Sequence, residues 1–164
     1  MSSTAVKSNA RDGYELALAL ASAALFVAAA IAVAKGHEDW NRIPAVIWWH
    51  LGTIGLALAL TPVLLLRRRG DDLHRVLGWV WAIAMFSTAV ITLFVRVINP
   101  GKLSLIHILS VVTIVAVPRL VLKARRHQIM QHRRDVRTVI AFAMLAAGVL
   151  TFPFGRMLGA WLMR

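Results

Sequence analysis

Five long apolar segments constrain this chain more than any other feature of its sequence. They cover about residues 14–34, 44–66, 76–98, 103–122 and 138–157. Each is close to the ~20 residues that a helix needs to cross ~30 Å of hydrocarbon. In lipid only helices and closed barrels satisfy their backbone groups, and these segments lack the alternation of barrel strands. The sequence therefore predicts an all-α integral membrane protein of five transmembrane helices, with residues 1–164 forming a single membrane domain.

The composition excludes several other classes of protein. Apolar residues make up 59% and charged residues 16% of the chain, whereas a soluble domain holds about half and about a quarter. The chain has no cysteine, which excludes disulfides, thiolate metal sites and iron–sulfur clusters. The net charge of +12 comes from positive residues that flank the apolar segments. It therefore predicts contacts with the lipid bilayer and its anionic head groups, and no nucleic-acid partner.

Lysine and arginine are unequally divided between the two sides of the predicted bundle. Thirteen of the 19 fall on the side of the N-terminus. The positive-inside rule places that side in the cytoplasm and the C-terminus outside. We expect a multi-pass protein of the bacterial inner (plasma) membrane. The six on the other side are Lys35, Arg42, Arg96, Lys102, Arg156 and Arg164.

The linkers between the apolar segments are short, so sequential helices should be antiparallel neighbours. Gly70-Asp71-Asp72 is typical of a turn before the third helix. Asp72 is the predicted N-cap of that helix, because aspartate is favoured at this position.

Four histidines fall one on each of the predicted helices two to five. Ionisable residues in membrane helices are costly and mark functional sites. At 1.5 Å per residue, His50 lies about 9 Å and His107 about 6 Å below the outer membrane edge. His74 lies at the cytoplasmic side, as does His132, six residues before the fifth apolar segment. The sequence therefore predicts an outer pair, His50 with His107, and an inner pair, His74 with His132.

Two imidazoles at one depth on facing helices suit a planar porphyrin with an axial histidine on each side. Arg75 and Arg133 are candidates for binding the haem propionates at the inner site. Gly78 lies four residues after His74 on the same helix face, where the absence of a side chain lets a macrocycle approach. The sequence thus predicts a four-helix haem-binding core of helices two to five, with one or two haem b groups per chain. The predicted iron ligands are His50, His74, His107 and His132.

Three functional interpretations remain open. The first is a b-type cytochrome that carries electrons across or within the membrane, as a transmembrane oxidoreductase. Its partner would be quinol, another small reductant or a redox protein. The second is a membrane protein that handles copper or zinc through the same histidines. The third is a non-catalytic accessory subunit of a membrane complex. A homo-oligomer is compatible with each, and no catalytic side chain is predicted.

The sequence also resembles two families. His50-Leu51-Gly52 and His74-Arg75-Val76-Leu77-Gly78, with the stretch from Ala124 through Arg133, resemble a family of small bacterial membrane proteins of unknown function, over about residues 44–156. The placement of the histidines is similar to that of the ascorbate-reducible cytochrome b family. In that family four central helices carry two haems, ligated by histidines of alternating helices. This resemblance implies the same outer and inner histidine pairs and a transmembrane electron-transfer activity.

Overall fold

The computed structural model describes residues 13–94, 105–153 and 155–164. In these ranges the chain forms helices and turns and no strand, which confirms the all-α prediction for the part described. The elements are α1 (Gly13–Lys35), a 3-10 helix (His37–Arg42), α2 (Ala45–Leu66), α3 (Asp72–Phe94), α4 (Leu105–Arg125), α5 (Ile129–Thr138), a π-helix (Val139–Ala146), α6 (Ala147–Val149) and α7 (Met157–Leu162).

Helices α1 to α4 are each long and apolar enough to cross a membrane. The fifth predicted span has a different form. It consists of α5, the π-helix and α6 in direct succession, and the joining residues Val139 and Ala147 keep right-handed helical dihedrals. This composite helix covers residues 129–149, whereas the sequence predicts a helix over 138–157. It begins earlier because its first ten residues, most of them polar, are helical. It ends earlier because Pro153 follows and cannot continue a helix.

Some sequence predictions fall on other parts of the chain. The predicted end of the third span at residue 98 and the start of the fourth at 103 lie outside the described residues. So do four of the basic residues that predict the orientation, namely Lys7, Arg11, Arg96 and Lys102.

The third helix begins at Asp72, and the residue that caps it is Asp71 instead of the predicted Asp72. The Oδ1 atom of Asp71 accepts a hydrogen bond of 2.7 Å from the backbone N–H of His74. Its backbone carbonyl accepts one of 3.1 Å from the N–H of Arg75. Asp72 is already helical, and its exposed carboxylate forms an ion pair of 3.0 Å with Arg75. Two adjacent carboxylates were available, and the one before the first helical residue reaches the free N–H groups.

Ion pairs bring the beginnings and ends of several helices together at one end of the bundle. Glu15, in the first turn of α1, contacts Arg69 in the α2–α3 turn and Arg133 in α5. Lys123, near the end of α4, forms an ion pair of 2.6 Å with Asp135 in α5. We call this the basic end of the bundle.

At the opposite end, α7 packs beside the end of α1. The Lys35 ammonium donates a hydrogen bond of 2.7 Å to the Leu162 carbonyl. The Trp161 indole N–H donates one of 3.0 Å to Asp39 in the 3-10 helix. The ring of Trp161 covers Gly36, where a Cβ atom would lie only 2.1 Å from it. The absence of a side chain at Gly36 is what allows this tryptophan to be buried.

The main core lies between α1, α2, α3, α4 and the π-helix. Met85, Ile140 and Met144 are among its most deeply buried side chains. The indole N–H of Trp81 donates a hydrogen bond of 2.9 Å to the Thr61 hydroxyl, which joins α3 to α2.

Candidate functional site

A large apolar cavity lies beside the core, towards the opposite end of the bundle. Its volume is about 1360 Å³, and α1, α2, α3, α4, the π-helix and the C-terminal segment all contribute to its walls. Most of the wall is aliphatic or aromatic. Among the described residues that line it, the titratable side chains are His50, Arg42 and Arg156. One imidazole in an apolar wall of this size is the arrangement expected for a bound cofactor or ligand.

The contacts of Thr92 favour one protonation form of His50. The Nδ1 atom of His50 lies 3.1 Å from the Thr92 hydroxyl oxygen on α3. The same hydroxyl lies 2.7 Å from the Thr88 carbonyl, which is its shorter contact. With its hydrogen on that shorter bond, the hydroxyl accepts from His50, and this assigns the proton to Nδ1. In this form of the neutral ring the lone pair is on Nε2, the nitrogen that would ligate a metal.

The cavity wall near His50 contains a glycine and part of the π-helix, and the glycine leaves space for a planar ligand. Gly52 lines the cavity two residues after His50, and no heavy atom lies within 4 Å of the position that its Cβ would occupy. The π-helix contributes Ala143 and Met144 to the same cavity. Such helices are rare and occur frequently at functional sites.

His107, the predicted outer partner of His50, is not among the residues that line the cavity. Its helix neighbours Ile106 and Ser110 line it, and the side chain of His107 is half-buried on α4. His50 is on α2 and His107 is on α4, and α3 lies between these two helices in the sequence. This is the alternating arrangement that the sequence predicts for an axial pair.

The structure places both members of the predicted inner pair at the basic end. His74 lies in the first turn of α3 and His132 in the first turn of α5. The longer α5 therefore places His132 inside a helix, where the sequence predicts it before one. His132 Nδ1 lies 2.8 Å from the Leu120 carbonyl oxygen. A carbonyl only accepts, so this Nδ1 is protonated too and its Nε2 carries the lone pair.

The tight turn before α5 positions His132 against α4. The N–H of Gln128 bonds to the Lys123 carbonyl and that of His127 to the Ala124 carbonyl, which is the pattern of a Schellman motif. His127 takes the left-handed conformation at φ 56°, which histidine tolerates better than most residues. The chain therefore reverses at once, and the first turn of α5 lies along the last turns of α4.

His74 differs from the other histidines in its hydrogen bonding. Its Nδ1 is buried, and no residue in the described ranges gives it a hydrogen-bond partner. An unsatisfied buried nitrogen costs about 1–3 kcal/mol. A bound group that uses this nitrogen would remove that cost.

The remaining predicted inner-site residues have different surroundings. Gly78 is half-buried, and the position of its Cβ has no heavy atom within 4 Å, so the space predicted there is present. Arg75 is exposed and bound to Asp72. The Arg133 Nε donates to Glu15 at 2.5 Å, so that edge of the guanidinium is directed at a carboxylate of the protein.

Glu15 is the principal residue that the sequence interpretation missed. Its side chain is 3% exposed and contacts three arginines, Arg69, Arg133 and Arg137. Arg137 donates to Oε1 at 3.0 Å. The available signal was a carboxylate at the start of an otherwise apolar helix, on the side where the arginines collect.

Two aspartates outside the apolar helices are held in their ionised form. The hydrogen-bonded ion pair with Arg67 and the N–H of His74 lower the pKa of Asp71 below its usual range. The Trp161 indole N–H and the Arg164 guanidinium lower the pKa of Asp39 in the same way. Both carboxylates therefore act as fixed negative charges near neutral pH.

Within the described ranges, no group of three or more His, Asp or Glu side chains is placed to hold a metal ion.

Comparison of the chain with protein-family models, with curated proteins and with solved structures finds no match. The functional argument therefore rests on the geometry of the two histidine sites.

Proposed function

We propose that this chain is a b-type cytochrome that transfers electrons in a membrane, with His50 and His107 as the axial ligands of a haem in the large cavity. One observation supports this most directly. His50 lies in the wall of an apolar cavity of about 1360 Å³, with its Nδ1 at 3.1 Å from the Thr92 hydroxyl, and the tautomer in which Thr92 accepts leaves Nε2 unprotonated. A histidine ligand held through its other ring nitrogen is the usual arrangement at metal sites.

The chain's own residues would hold and tune the haem, which supplies the one-electron chemistry when bound. Thr92 fixes the tautomer and orientation of His50, and it increases the basicity of Nε2. The apolar wall excludes water, which is one of the factors that set a reduction potential. Arg42 and Arg156 line the cavity and could pair with the propionates.

We further propose that His74 and His132 form the inner haem site. The supporting observations are the placement of both histidines in first helical turns at the basic end, the protonated Nδ1 of His132 and the open space at Gly78. Two haems would divide the ~30 Å of hydrocarbon into shorter steps for the electron. The donor would be quinol, another small reductant or a redox protein.

The proposed location is the bacterial inner membrane, with the basic end in the cytoplasm and α7 outside. Reporter fusions after Gly36, Gly70, Gly101 and His127 should alternate outside, inside, outside and inside. Five spans and this orientation predict all four positions. A cytoplasmic signal at Gly101 would contradict the proposed topology.

The decisive experiment is an absorption spectrum of the purified protein, expressed with a haem precursor. We expect a Soret band and the narrow reduced bands of a low-spin bis-histidine haem. His50→Ala should remove one haem equivalent or convert it to high spin, and free imidazole should restore the low-spin spectrum. The matched control is His37→Ala, because His37 is an exposed histidine of the 3-10 helix.

The other outcomes discriminate between the interpretations. A colourless protein that retains copper or zinc, and loses it in His50→Ala, would support the metal-handling alternative. A colourless protein without bound metal would reject both and leave His50 as a packing residue. An unchanged spectrum in both His50→Ala and His107→Ala would reject the outer site.

A further inference from the structure

A second, smaller groove lies on the outer surface of the bundle, between α4 and the beginning of α5. Its volume is about 430 Å³. It is separate from the histidine sites, and no residue discussed above as a haem ligand lines it. Its wall has two chemically different parts, which are arranged in order along α4.

The first part is apolar and faces outward. Val111, Val112 and Val115 are each more than half exposed. They belong to a helix that is long and apolar enough to cross a membrane, so this surface faces acyl chains. Valines at these positions leave a shallow channel instead of a filled surface, and Ala116 continues it.

The second part is cationic and lies at the basic end. Arg119, Lys123 and Arg134 line the groove together with Asp135. Lys123 and Asp135 neutralise one another in their ion pair of 2.6 Å. Arg119 and Arg134 are exposed, and no described carboxylate pairs with either. Two positive charges are therefore left at the end of an apolar channel.

The length of the groove along α4 matches the length of one lipid molecule in a single leaflet. Val111, Val115, Arg119 and Lys123 follow one another at intervals of four residues, so they share one face of α4. At 1.5 Å per residue this face is about 18 Å long. One leaflet consists of ~15 Å of hydrocarbon and an additional head-group layer, so the face covers most of its depth. An acyl chain against the valines would place its head group at the arginines.

We propose that this groove, defined by Val111, Val112, Val115, Arg119 and Arg134, binds an anionic phospholipid of the leaflet at the basic end. The phosphate and anionic head group would lie between the two guanidinium groups, which suit phosphate oxygens geometrically. One acyl chain would lie along the valines. Basic pockets at the cytoplasmic ends of membrane helices bind anionic head groups in this manner.

The test is binding of phosphatidylglycerol and phosphatidylcholine to the full-length protein in detergent, measured by native mass spectrometry after delipidation. The wild type should retain phosphatidylglycerol in preference to phosphatidylcholine. In Arg119→Gln with Arg134→Gln, retention of phosphatidylglycerol should fall about tenfold or more, since each cation near a membrane surface contributes on the order of 1 kcal/mol. Helical circular dichroism checks that the variant is folded.

The matched control is Arg125→Gln with Arg126→Gln. Both are exposed arginines at the same end of α4, outside the groove, and the change in net charge is identical. This variant should keep the preference for phosphatidylglycerol. An equal loss in both double variants would show general attraction to a basic surface and would overturn the proposed site.

A second variant tests the apolar part independently of charge. Val112→Trp should fill the channel and weaken phosphatidylglycerol binding while both arginines remain. Glycerophosphoglycerol, the head group without acyl chains, should fail to compete. Competition by this head group alone, or equal retention of the two lipids by the wild type, would also overturn the proposal.

Discussion

The Nε atom of Arg133 lies 2.5 Å from Oε1 of Glu15, a carboxylate 118 positions earlier in the chain. Arg137, one turn further along α5, donates to the same oxygen, and Arg69 contacts Oε2 from the α2–α3 turn. One buried carboxylate therefore joins the first helix, a turn and the fifth helical segment. The sequence predicts that Arg133 binds a haem propionate. In the structure Arg133 also binds Glu15 and so helps to join α5 to α1.

Replacing Glu15 should destabilise the bundle strongly. Among the described contacts, Glu15 is the one negative charge shared by Arg69, Arg133 and Arg137, and Glu15→Gln removes it. Leaving buried charge without its partner lowers the free energy of unfolding by about 3 kcal/mol or more. For a chain of this size the midpoint of thermal unfolding should fall by about 6–12 °C. The measurement is thermal unfolding followed by circular dichroism in detergent.

The control for this variant is Glu38→Gln. Glu38 is exposed in the 3-10 helix, so its replacement should leave the midpoint nearly unchanged. Equal midpoints for the two variants would show that the Glu15 cluster adds nothing to stability.

The sequence indicated the first four helices because hydropathy and helix boundaries coincide there. Hydropathy predicts the fifth helix over residues 138–157, whereas the helix in the structure covers residues 129–149. Ile129–Thr138 is helical but polar on most of its surface, so it resembles a linker. Residues 150–157 are mostly apolar, with Arg156 as the charged exception, so apolar character alone does not reveal the end of the helix before Pro153.

The candidate site was predictable only in part for a similar reason. The cost of burying histidine singled out His50 and His107 from the sequence, and His74 and His132 were paired by their shared cytoplasmic side. The atoms that orient them could not be found in this way. Thr92 is 42 positions from His50 and meets it only because α2 and α3 pack in one register. Leu120 uses a backbone carbonyl, which carries no sequence signal at all.

The capping of α3 provides a pH-dependent test. The pKa of Asp71 is lowered by Arg67 and by the His74 N–H, so the folded state binds its proton less tightly than the unfolded chain. The stability that Asp71 contributes is therefore present at neutral pH. It begins to be lost as the pH falls to the ordinary value of 3.8 and is gone below the lowered pKa of the folded state.

Asp71→Ala should accordingly unfold at a midpoint about 2–4 °C lower than the wild type at pH 7, because alanine can neither cap α3 nor pair with Arg67. The difference should shrink under acid conditions, when the wild-type carboxylate is protonated. Asp72→Ala is the matched control, since that exposed carboxylate forms only a surface ion pair. A larger effect for Asp72 than for Asp71 would contradict the assignment of the cap.

Thr92 should act on the proposed haem through His50. Thr92→Val keeps the shape of the side chain but removes the acceptor for the His50 Nδ1–H. Loss of such a partner lowers metal or cofactor affinity about 10- to 100-fold. A less basic imidazole should also raise the reduction potential of the haem. Both quantities can be measured by haem titration and by spectroelectrochemistry.

Thr113→Val is the control for that variant. Thr113 lines the same cavity, but its hydroxyl donates to the Leu109 carbonyl of its own helix. Its replacement should change neither the affinity nor the potential appreciably. Equal effects of the two variants would indicate a general change in cavity polarity and would remove Thr92 from the positioning role.

The inner histidine pair decides between one haem and two. His74 and His132 both lie at the basic end, in the first turns of two helices, and His132 Nε2 carries a lone pair. We therefore predict two haems per chain, measured as pyridine haemochrome against protein concentration. In His74→Ala with His132→Ala the ratio should fall from about two to about one, while the His50 spectrum persists. A ratio of one in the wild type, unchanged in this double variant, would leave a single-haem protein. In that case electrons could enter and leave at one membrane face only, because ~30 Å of hydrocarbon would separate the haem from the other face.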